Sequence, residues 1–264
     1  MEIKDNRIDA GKAFDWGRTS EYYARYRDIY PDEFYRKIAD RGLCIEGQKV
    51  LDLGTGTGVL PRNMYKYGAE WTGTDISPEQ IEQAKRLASE AGMNIDFKAV
   101  SAEKIDYPAD SFDVITACQC FWYFQPELLM PVLKKILKPE GRLLILQMEW
   151  LPFEDETALA SENLVLKYNP DWSGAGEKRH PVYLDEKVLE SAELVSHEEF
   201  AVNVPFTRES WHGRMKACRG VGASLSGEKL AQWEQEHIAL LKKITPENFE
   251  ILHYIAMAEL KMKK

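Results

Sequence analysis

The stretch from Val50 to Gly58, written VLDLGTGTG, restricts the fold more than any other part of the chain. Its first four residues are apolar apart from Asp52, which predicts a short buried strand. Three glycines follow at alternate positions, and glycine permits a tight turn whose backbone approaches a ligand closely. The next residues, from Val59 to Tyr65, are apolar at helical spacing. Strand, glycine turn and helix together predict the first half of a nucleotide-binding βαβ unit.

The spacing of the glycines distinguishes two classes of nucleotide site. A dinucleotide site places its third glycine three residues after the second, where this chain has Val59. Here Gly58 comes only two residues after Gly56, so the pattern is Asp-x-Gly-x-Gly-x-Gly. This pattern resembles the first motif of the class I S-adenosylmethionine-dependent methyltransferases. An NAD-dependent oxidoreductase is the less favoured alternative, because no Tyr-x-x-x-Lys stands in a suitable place after the predicted fourth strand.

An acid ends the predicted second strand, residues 69–75. Asp75 stands where an acid of a βαβ unit accepts hydrogen bonds from both ribose hydroxyls, and the methyltransferase family uses this position in the same way. The alternative is that Asp75 caps the next helix. Ser77 and Pro78 supply a helix start of their own, however, so the ligand-binding interpretation is favoured.

The resemblance covers residues 45 to 150 well and the rest weakly. It implies an α/β fold with a Rossmann-like, seven-stranded, mainly parallel sheet in the order 3-2-1-4-5-7-6. The last strand is expected to be antiparallel, with helices on both faces and a small insertion after strand five. We expect one methyltransferase domain over residues 1–264, divided into an N-terminal lid and helix (1–44), a cofactor-binding core (45–150), a substrate-side insertion (151–193) and a C-terminal part (194–264).

Several elements follow from the local pattern. Helices are predicted at 31–42, 78–91, 126–137 and 154–168, and a long, largely solvated helix is predicted at 226–244. A Leu-Lys-Pro-x-Gly turn separates the 126–137 helix from a strand at 142–148, an order that is frequent in the family. Residues 194–204 alternate as a strand does. Residues 249–262 fit helix or strand by pattern, and the resemblance implies a strand there.

The resemblance implies S-adenosylmethionine as cofactor and S-adenosylhomocysteine as product. The family usually has an acid facing the adenine amino group where this chain has Ser101, whose hydroxyl forms a weaker hydrogen bond, and Glu103 is the alternative contact. Cys118 is a candidate at the end of strand four, although a small packing residue is the favoured interpretation. The residues expected at the cofactor are Tyr22, Arg27, Asp52, Gly54, Thr55, Gly56, Gly58, Asp75, Ile76, Ser101, Ala102, Glu103, Cys118 and Gln119.

Aromatic and basic residues mark the expected substrate side. The aromatic run at 121–124 follows strand four, and ligands of open α/β sheets lie outside the carboxyl ends of the strands. A tyrosine- and arginine-rich segment, residues 21–31, is either a lid over the site or a helix packed on the core. The loop at 169–181 is long enough to be functional, or it is a surface loop with a packed tryptophan. The substrate-side candidates are Tyr26, Trp122, Tyr123, Trp150, Trp172, Arg179 and Trp211.

The mechanism implied is direct displacement at the sulfonium methyl, in which the enzyme supplies alignment and a water-poor pocket. A carboxylate acceptor needs no base. A hydroxyl, amine or carbon acid can need one, and His180 and His212 are the candidates. A non-catalytic protein that binds the cofactor on the same scaffold is the second alternative.

Composition restricts the classes of molecule that this chain is expected to bind. The net charge is −9, with 43 acidic against 34 basic residues, which disfavours a nucleic-acid partner. The four cysteines have neither a C-x-x-C pair nor zinc spacing, so we expect reduced thiols and no metal. No apolar run reaches membrane-spanning length and the N-terminus lacks a signal-peptide pattern. We therefore expect a cytosolic enzyme of the small-molecule branch, similar to ubiquinone-pathway methyltransferases, with no membrane partner and as either monomer or homodimer.

Overall fold

A seven-stranded sheet with the order β3-β2-β1-β4-β5-β7-β6 organises the computed structural model, which describes residues 2–263. β1 pairs in parallel with β2 and β4, β2 with β3, and β4 with β5, while β7 is antiparallel. The predicted fold class and strand order are therefore confirmed. The strands are β1 (Lys49–Leu53), β2 (Glu70–Asp75), β3 (Asp96–Ala99), β4 (Phe112–Cys118), β5 (Leu137–Trp150), β6 (Ala192–Thr207) and β7 (Asn248–Met262).

The helices lie close to their predicted positions. Ser77 accepts a hydrogen bond from the N–H of Gln80 at the start of α4, as predicted. Thr207 and Ser210 form a reciprocal capping box at the start of α8. The helices are α1 (Ser20–Tyr26), α2 (Asp32–Asp40), α3 (Val59–Met64), α4 (Pro78–Glu90), α5 (Pro126–Ile136), α6 (Glu156–Tyr168), α7 (Glu186–Ser191), α8 (Arg208–Lys216) and α9 (Gly227–Ile244). None of the helices described within residues 2–263 is both long enough and apolar enough to span a bilayer.

Three local expectations need correction or completion. The Leu-Lys-Pro-x-Gly segment falls inside β5, where the pairing with β4 shifts register between Leu137 and Arg142. Residues 249–262, whose sequence pattern fits either helix or strand, lie in the long strand β7. α9 is less solvated than predicted, because Trp233, His237 and Leu241 are buried on one side of it.

The chain divides into two units. The sheet unit consists of Tyr30–Met148, His180–Phe200 and Ile255–Lys264. The helical unit consists of Met1–Ile29, Glu149–Arg179 and Ala201–Tyr254. The strands β5, β6 and β7 each contribute residues to both units.

Alternation along the central strands builds the core of the sheet unit. Side chains at every second position of β1, β4 and β5 enter one buried cluster with α5, because successive residues of a strand point to opposite faces. A second cluster joins α4 to Phe97 of β3. The residues that β1, β4 and β5 contribute to the first cluster are Leu51, Leu53, Phe112, Ile115, Ala117, Leu137, Leu143 and Ile145.

A hydrogen-bonded histidine pair lies in the core of the helical unit, where α8 and α9 meet. Nδ1 of His212 lies 2.9 Å from Nδ1 of His237, and Nε2 of His237 lies 3.1 Å from Oγ of Ser161. The Ser161 hydroxyl donates to the carbonyl of Thr157, so it accepts from Nε2–H of His237. His237 then holds a lone pair on Nδ1 and accepts from Nδ1–H of His212. The network needs a neutral His237.

We expect the helical unit to lose stability in acid. Burial, aided by His212, lowers the pKa of His237 to about 3, against 6.5 for the unperturbed side chain. Between those values the unfolded chain binds more protons than the folded chain, so the free energy of unfolding falls as the pH falls below 6.5. Each such histidine contributes a slope of about 1.4 kcal/mol per pH unit. Denaturant unfolding between pH 7 and 4 measures this slope.

The variant His237→Gln should flatten that dependence, since it removes one titrating side chain. His197→Gln is the matched control, because it replaces an exposed histidine of β6. An unchanged slope in His237→Gln, in protein that remains folded at pH 7, would show that the pair does not govern acid stability.

A buried ion pair connects the N-terminal segment to two later parts of the helical unit. Asp9 is 2% exposed and accepts from Nε and Nη2 of Arg219 at 2.7 and 3.0 Å. The backbone N–H and hydroxyl of Ser173 donate to the same carboxylate at 2.7 and 2.8 Å. The surrounding backbone is in the left-handed region at both Asp9 and Ala10. The carboxylate thus holds three distant chain segments together.

Candidate functional site

The glycine turn follows β1 at the carboxyl end of the parallel strands. Gly54, Gly56 and Gly58 all have positive φ angles, of +57°, +55° and +73°. The N–H of Thr55 donates to the carbonyl of Thr74 at 2.8 Å, which ties the turn to β2. Gly58 stands directly before α3. The turn therefore needs glycine for its backbone angles.

We expect Gly54→Ala to destabilise the protein. A Cβ at this position would lie 2.8 Å from both Cβ and Sγ of Cys120, in addition to the strain of the positive φ. Gly92→Ala is the matched control, because its φ is +66° and nothing lies within 4 Å of the added Cβ. The free energy of unfolding should fall by about 1–3 kcal/mol more in Gly54→Ala than in Gly92→Ala. Equal losses in the two variants would mean that Cys120 does not constrain the turn.

Asp75 ends β2 beside the turn. Its Oδ2 accepts from the N–H of Gly56, and its Oδ1 accepts from the N–H of Ser77, each at 2.9 Å. Burial is the largest influence on its pKa, which is raised, while the N–H groups of Ser77 and Gly56 act in the opposite direction. A carboxylate offers about four acceptor positions, and these two bonds use two of them. Asp75 therefore shapes the turn and the start of α4 while keeping acceptor capacity for a ligand.

Asp52 lies within β1 and is 1% exposed. Its Oδ1 accepts from the hydroxyl of Thr116 on β4 at 2.6 Å. Burial raises the pKa of Asp52 to about 7, while the Thr116 hydrogen bond lowers it and the nearby Asp75 raises it further. Asp52 consequently joins β1 to β4 under the turn, and its burial favours the protonated form of the carboxyl group.

The loop after β3 carries the residues expected near the adenine. Ser101 donates its hydroxyl to Oε2 of Glu103, and Oε1 of Glu103 accepts from the N–H of Gln125 at 3.2 Å. Ala102 is buried, whereas Ile76, on the loop after β2, is 42% exposed. The Glu103 carboxylate thus already has two protein donors, and Ile76 presents an apolar surface.

The end of β4 has unusual backbone geometry. Gln119 has a φ of +63°, and its side-chain amide donates to the carbonyl of Met148 on β5. Sγ of Cys120 lies 3.0 Å from the carbonyl oxygen of Leu53, and Sγ of Cys118 lies 3.5 Å from the hydroxyl oxygen of Tyr30. A non-glycine residue with positive φ is uncommon and often accompanies function.

The aromatic run after β4 is a short 3-10 helix in which the three rings differ in exposure. Phe121 is buried, Tyr123 is half-buried and Trp122 is 43% exposed. The rings of Trp122 and Tyr123 are 5.6 Å apart and tilted by 43°. Trp122 is therefore the most exposed of the three rings.

The tyrosine-rich segment forms α1, which packs against α8 in the helical unit. The Tyr22 hydroxyl accepts from Nζ of Lys216 at 2.9 Å. The Tyr26 hydroxyl donates to Glu209 at 2.9 Å. The guanidinium of Arg27 lies 4.8 Å from the ring centroid of Tyr23. The packing of α1 on α8 is observed. The role of this segment as a lid over the cofactor stays a prediction.

Three candidate tryptophans are buried in the helical unit. Nε1 of Trp150 donates to Oε1 of Glu162 at 2.5 Å, and Nε1 of Trp211 donates to Oγ of Ser161 at 2.9 Å. The three rings are 4%, 0% and 6% exposed for Trp150, Trp211 and Trp172. A ligand in contact with them must lie inside the unit.

The remaining candidates are nearer the surface. Arg179 forms two parallel hydrogen bonds of 2.8 Å with the carboxylate of Glu154. Nδ1 of His180 lies 2.6 Å from the carbonyl oxygen of Pro181. His212, the other candidate base, belongs to the histidine pair, and burial lowers its pKa. The roles proposed for these residues stay predictions.

Sequence reasoning missed a polar cluster buried in the helical unit. Burial, reinforced by Glu177, raises the pKa of Glu149 to about 7, whereas Arg27 and Arg214 lower it. Arg214 is 1% exposed, and its guanidinium stacks 4.7 Å over the ring of Trp150. The only sequence signals were an acid next to Trp150 at the end of a buried strand and an arginine between buried residues of α8.

Comparison with known proteins agrees with the fold. A family model described as a methyltransferase domain matches residues 50–141. The ubiquinone biosynthesis O-methyltransferase of Cereibacter sphaeroides is 30% identical over 146 residues. These residues make up 53% of this chain and 59% of that relative. The chain thus covers less than two thirds of the relative's length.

Two solved structures share the fold. The YcgJ protein of Bacillus subtilis is 19% identical, with a TM-score of 0.52 over 89% of this chain and 100% of that one. The cyclase SpnF is 21% identical, with a TM-score of 0.52 over 87% of this chain and 80% of that one. At these levels of sequence identity, the similarity establishes only that the fold is shared.

Proposed function

We propose that this chain, whose residues 50–141 match a family model described as a methyltransferase domain, transfers a methyl group from S-adenosylmethionine to a small-molecule acceptor. The proposal rests on the hydrogen bond that connects the glycine turn to Asp75. The N–H of Gly56 fixes the carboxylate at 2.9 Å, so the acid and the turn form one preorganised surface.

The residues of the sheet unit fit the cofactor group by group. Asp75 keeps acceptor positions for the two ribose hydroxyls. The exposed side chain of Ile76 suits an adenine face, and the backbone of Ala102 suits a ring nitrogen. Gly54 and Gly56 admit a ligand against the peptide groups of the turn. The remaining proposed contacts in this unit are Asp52, Thr55, Gly58, Ser101, Glu103, Cys118 and Gln119.

Bound S-adenosylmethionine supplies an electrophilic methyl group. The contribution of the chain is to hold the donor in one orientation and to exclude water from the reacting atoms. Trp122 and Tyr123 follow β4 at the carboxyl end of the sheet, and an aromatic face there would attract the positive sulfur. The similarity to the O-methyltransferase of Cereibacter sphaeroides supports oxygen as the acceptor atom. The four free cysteines support a cytoplasmic location.

Turnover distinguishes an enzyme from a protein that only binds the cofactor. Incubation with methyl-labelled S-adenosylmethionine and a panel of phenols, carboxylic acids, amines and thiols should give a labelled small product and S-adenosylhomocysteine in equal amounts. Trp122→Ala should reduce transfer without abolishing cofactor binding, while Leu128→Ala, at an exposed leucine of α5, should change neither. Tight cofactor binding without any transfer across the panel would favour the binding-protein alternative.

A further inference from the structure

The guanidinium of Arg214 on α8 has one hydrogen-bonding edge that no protein group occupies. Arg214 is 1% exposed, and its Nη1 donates to the thiol of Cys218 at 3.0 Å. Nε is enclosed and has no hydrogen-bond partner among residues 2–263. Nη2 lies on the same edge of the guanidinium as Nε. It has no partner among those residues either, and unlike Nε it is not fully enclosed. Nε and Nη2 therefore form an edge with two unused donors.

Packing within the helical unit holds this guanidinium in place. Its central carbon lies 4.7 Å from the ring centroid of Trp150, which is 4% exposed. A planar guanidinium stacks on an aromatic face, so the buried indole restricts its orientation. The thiol of Cys218 fixes Nη1 but is only a weak acceptor. The unused edge is thus preorganised, which lowers the entropic cost of binding a ligand.

The neighbouring charges do not neutralise Arg214. Burial is the largest cause that lowers its pKa, and Arg27 lowers it further, whereas Glu149 raises it. Glu149 forms no hydrogen bond or ion pair in the part of the chain that the structure describes, and burial raises its pKa to about 7 in spite of the two arginines. His253, whose ring centroid is 6.4 Å from that of Trp150, adds no charge, because burial lowers its pKa to about 3. The buried guanidinium therefore lacks a counter-charge at hydrogen-bond distance, which is an unfavourable state for a desolvated cation.

A carboxylate is the ligand group that fits this edge. Two adjacent N–H groups of arginine donate in parallel to the two oxygens of a carboxylate. Arg219 in the same unit uses its own Nε and Nη2 in this way, at 2.7 and 3.0 Å from the carboxylate of Asp9. A neutral carbonyl group would supply no counter-charge, and a phosphate dianion would bring two negative charges near Glu149. One negative charge on a planar pair of oxygens meets both requirements.

We propose that the Nε–Nη2 edge of Arg214 binds the carboxylate of a small organic acid inside the helical unit. The inference goes beyond the proposed function, since it assigns to this unit a ligand site of its own. The two charged neighbours, Arg27 and Glu149, are only half-buried, so solvent reaches this part of the unit. The bound carboxylate supplies the counter-charge that the described part of the chain does not.

The Nε–H proton resonance of Arg214 tests this binding in the full-length protein at pH 7. Acetate is the probe, and acetamide is the neutral control of nearly the same size and shape. Acetate should move the resonance downfield to a saturating limit and acetamide should not, because a hydrogen bond to an ionised acceptor is the stronger one. The variant Arg214→Lys assigns the resonance, since it removes it.

Arg219 is the internal reference for this experiment. Its Nε already donates to Asp9 at 2.7 Å, so acetate should leave its resonance unchanged. An Arg214 resonance that acetate does not move overturns the proposal, and a buried water then accounts for the unused donors. An equal shift with chloride overturns the assignment to a carboxylate, because the site would then respond to charge alone.

Unfolding in denaturant gives a second test that does not depend on observing this resonance. At matched ionic strength, acetate should raise the unfolding midpoint of the parent protein above its value in acetamide, because a ligand of the folded state stabilises that state. The difference should disappear in Arg214→Met and persist in Arg25→Met, which removes an arginine of α1 whose side chain is 69% exposed. Stabilisation by acetate that persists in Arg214→Met overturns the assignment of this site.

The same variants test whether the guanidinium is unpaired. Without acetate, Arg214→Met should unfold close to the midpoint of the parent, since no carboxylate loses a partner. Arg219→Met should unfold at a lower midpoint, because Asp9 stays buried without its cation. A larger loss in Arg214→Met than in Arg219→Met would contradict the unpaired state. Neither readout requires S-adenosylmethionine, so failure of this site and failure of the proposed function are distinguishable.

Discussion

Asp75→Ala should lower the affinity for S-adenosylhomocysteine by at least about 100-fold. The substitution removes the acceptor for two ribose hydroxyls, and a hydrogen bond to a charged group contributes about 1.5–3 kcal/mol. It also releases the N–H groups of Gly56 and Ser77, which the carboxylate now holds at 2.9 Å. The turn would lose the partner that fixes its backbone. Calorimetric titration of the variant and the parent gives the ratio of dissociation constants.

Asp96→Ala is the matched control, since it removes an exposed aspartate at the start of β3, whose ion pair with Lys98 is on the surface. Its affinity should equal that of the parent. Asp75→Asn should fall between the two, because an amide has only one oxygen to share between the backbone and the ribose. An affinity in Asp75→Ala within threefold of the parent would remove Asp75 from the cofactor site.

Asp9→Ala should lower the free energy of unfolding by about 3–5 kcal/mol, the usual effect of removing one partner of a buried ion pair. Arg219, which is 9% exposed, would lose two hydrogen bonds of 2.7 and 3.0 Å and stay buried with its charge. Ser173 would lose the acceptor of its N–H and hydroxyl. Because these residues join three segments of the helical unit, its unfolding transition should move furthest. Denaturant unfolding followed by tryptophan fluorescence measures the change.

The control for Asp9 is Asp171→Ala. Asp171 pairs with Lys12 at 2.5 Å, but both side chains are about half exposed, and such surface pairs contribute about 0–1 kcal/mol. The double variant Asp9→Ala/Arg219→Met should be less destabilised than Asp9→Ala alone, because the buried guanidinium is removed together with its carboxylate. A loss below about 1 kcal/mol in Asp9→Ala would mean that the pair does not hold the N-terminal segment in place.

The sheet was predictable because its signals are local and mutually consistent. The run from Val50 to Gly58 specifies strand, turn and the positive φ angles in nine consecutive residues, and Ser77 marks its helix start directly. The turn at Lys138–Gly141 was expected as a separate stop. Pairing with β4 instead includes it in β5 as a register shift, which depends on the neighbouring strand and not on the turn residues alone.

The polar interior of the helical unit was not predictable from local pattern. Arg214 and His253 are 39 positions apart in the sequence, and nothing near either one indicates that both lie against Trp150. His212 was a candidate base because a histidine beside tryptophan and arginine suggests a site. Its hydrogen bond to His237 depends on the packing of α8 on α9. Such contacts form between elements that are distant in the sequence, so the periodicity and spacing of residues do not predict them.

Calorimetric titration of the unmodified chain with S-adenosylmethionine, and with NAD as the competing nucleotide, shows directly which nucleotide the glycine turn and Asp75 bind. The glycine turn and Asp75 predict one saturable site for S-adenosylmethionine per chain in the micromolar range, and no measurable heat with NAD. Binding of NAD without binding of S-adenosylmethionine, in protein shown to be folded, would mean that the glycine turn belongs to a dinucleotide site and that the proposed function is wrong.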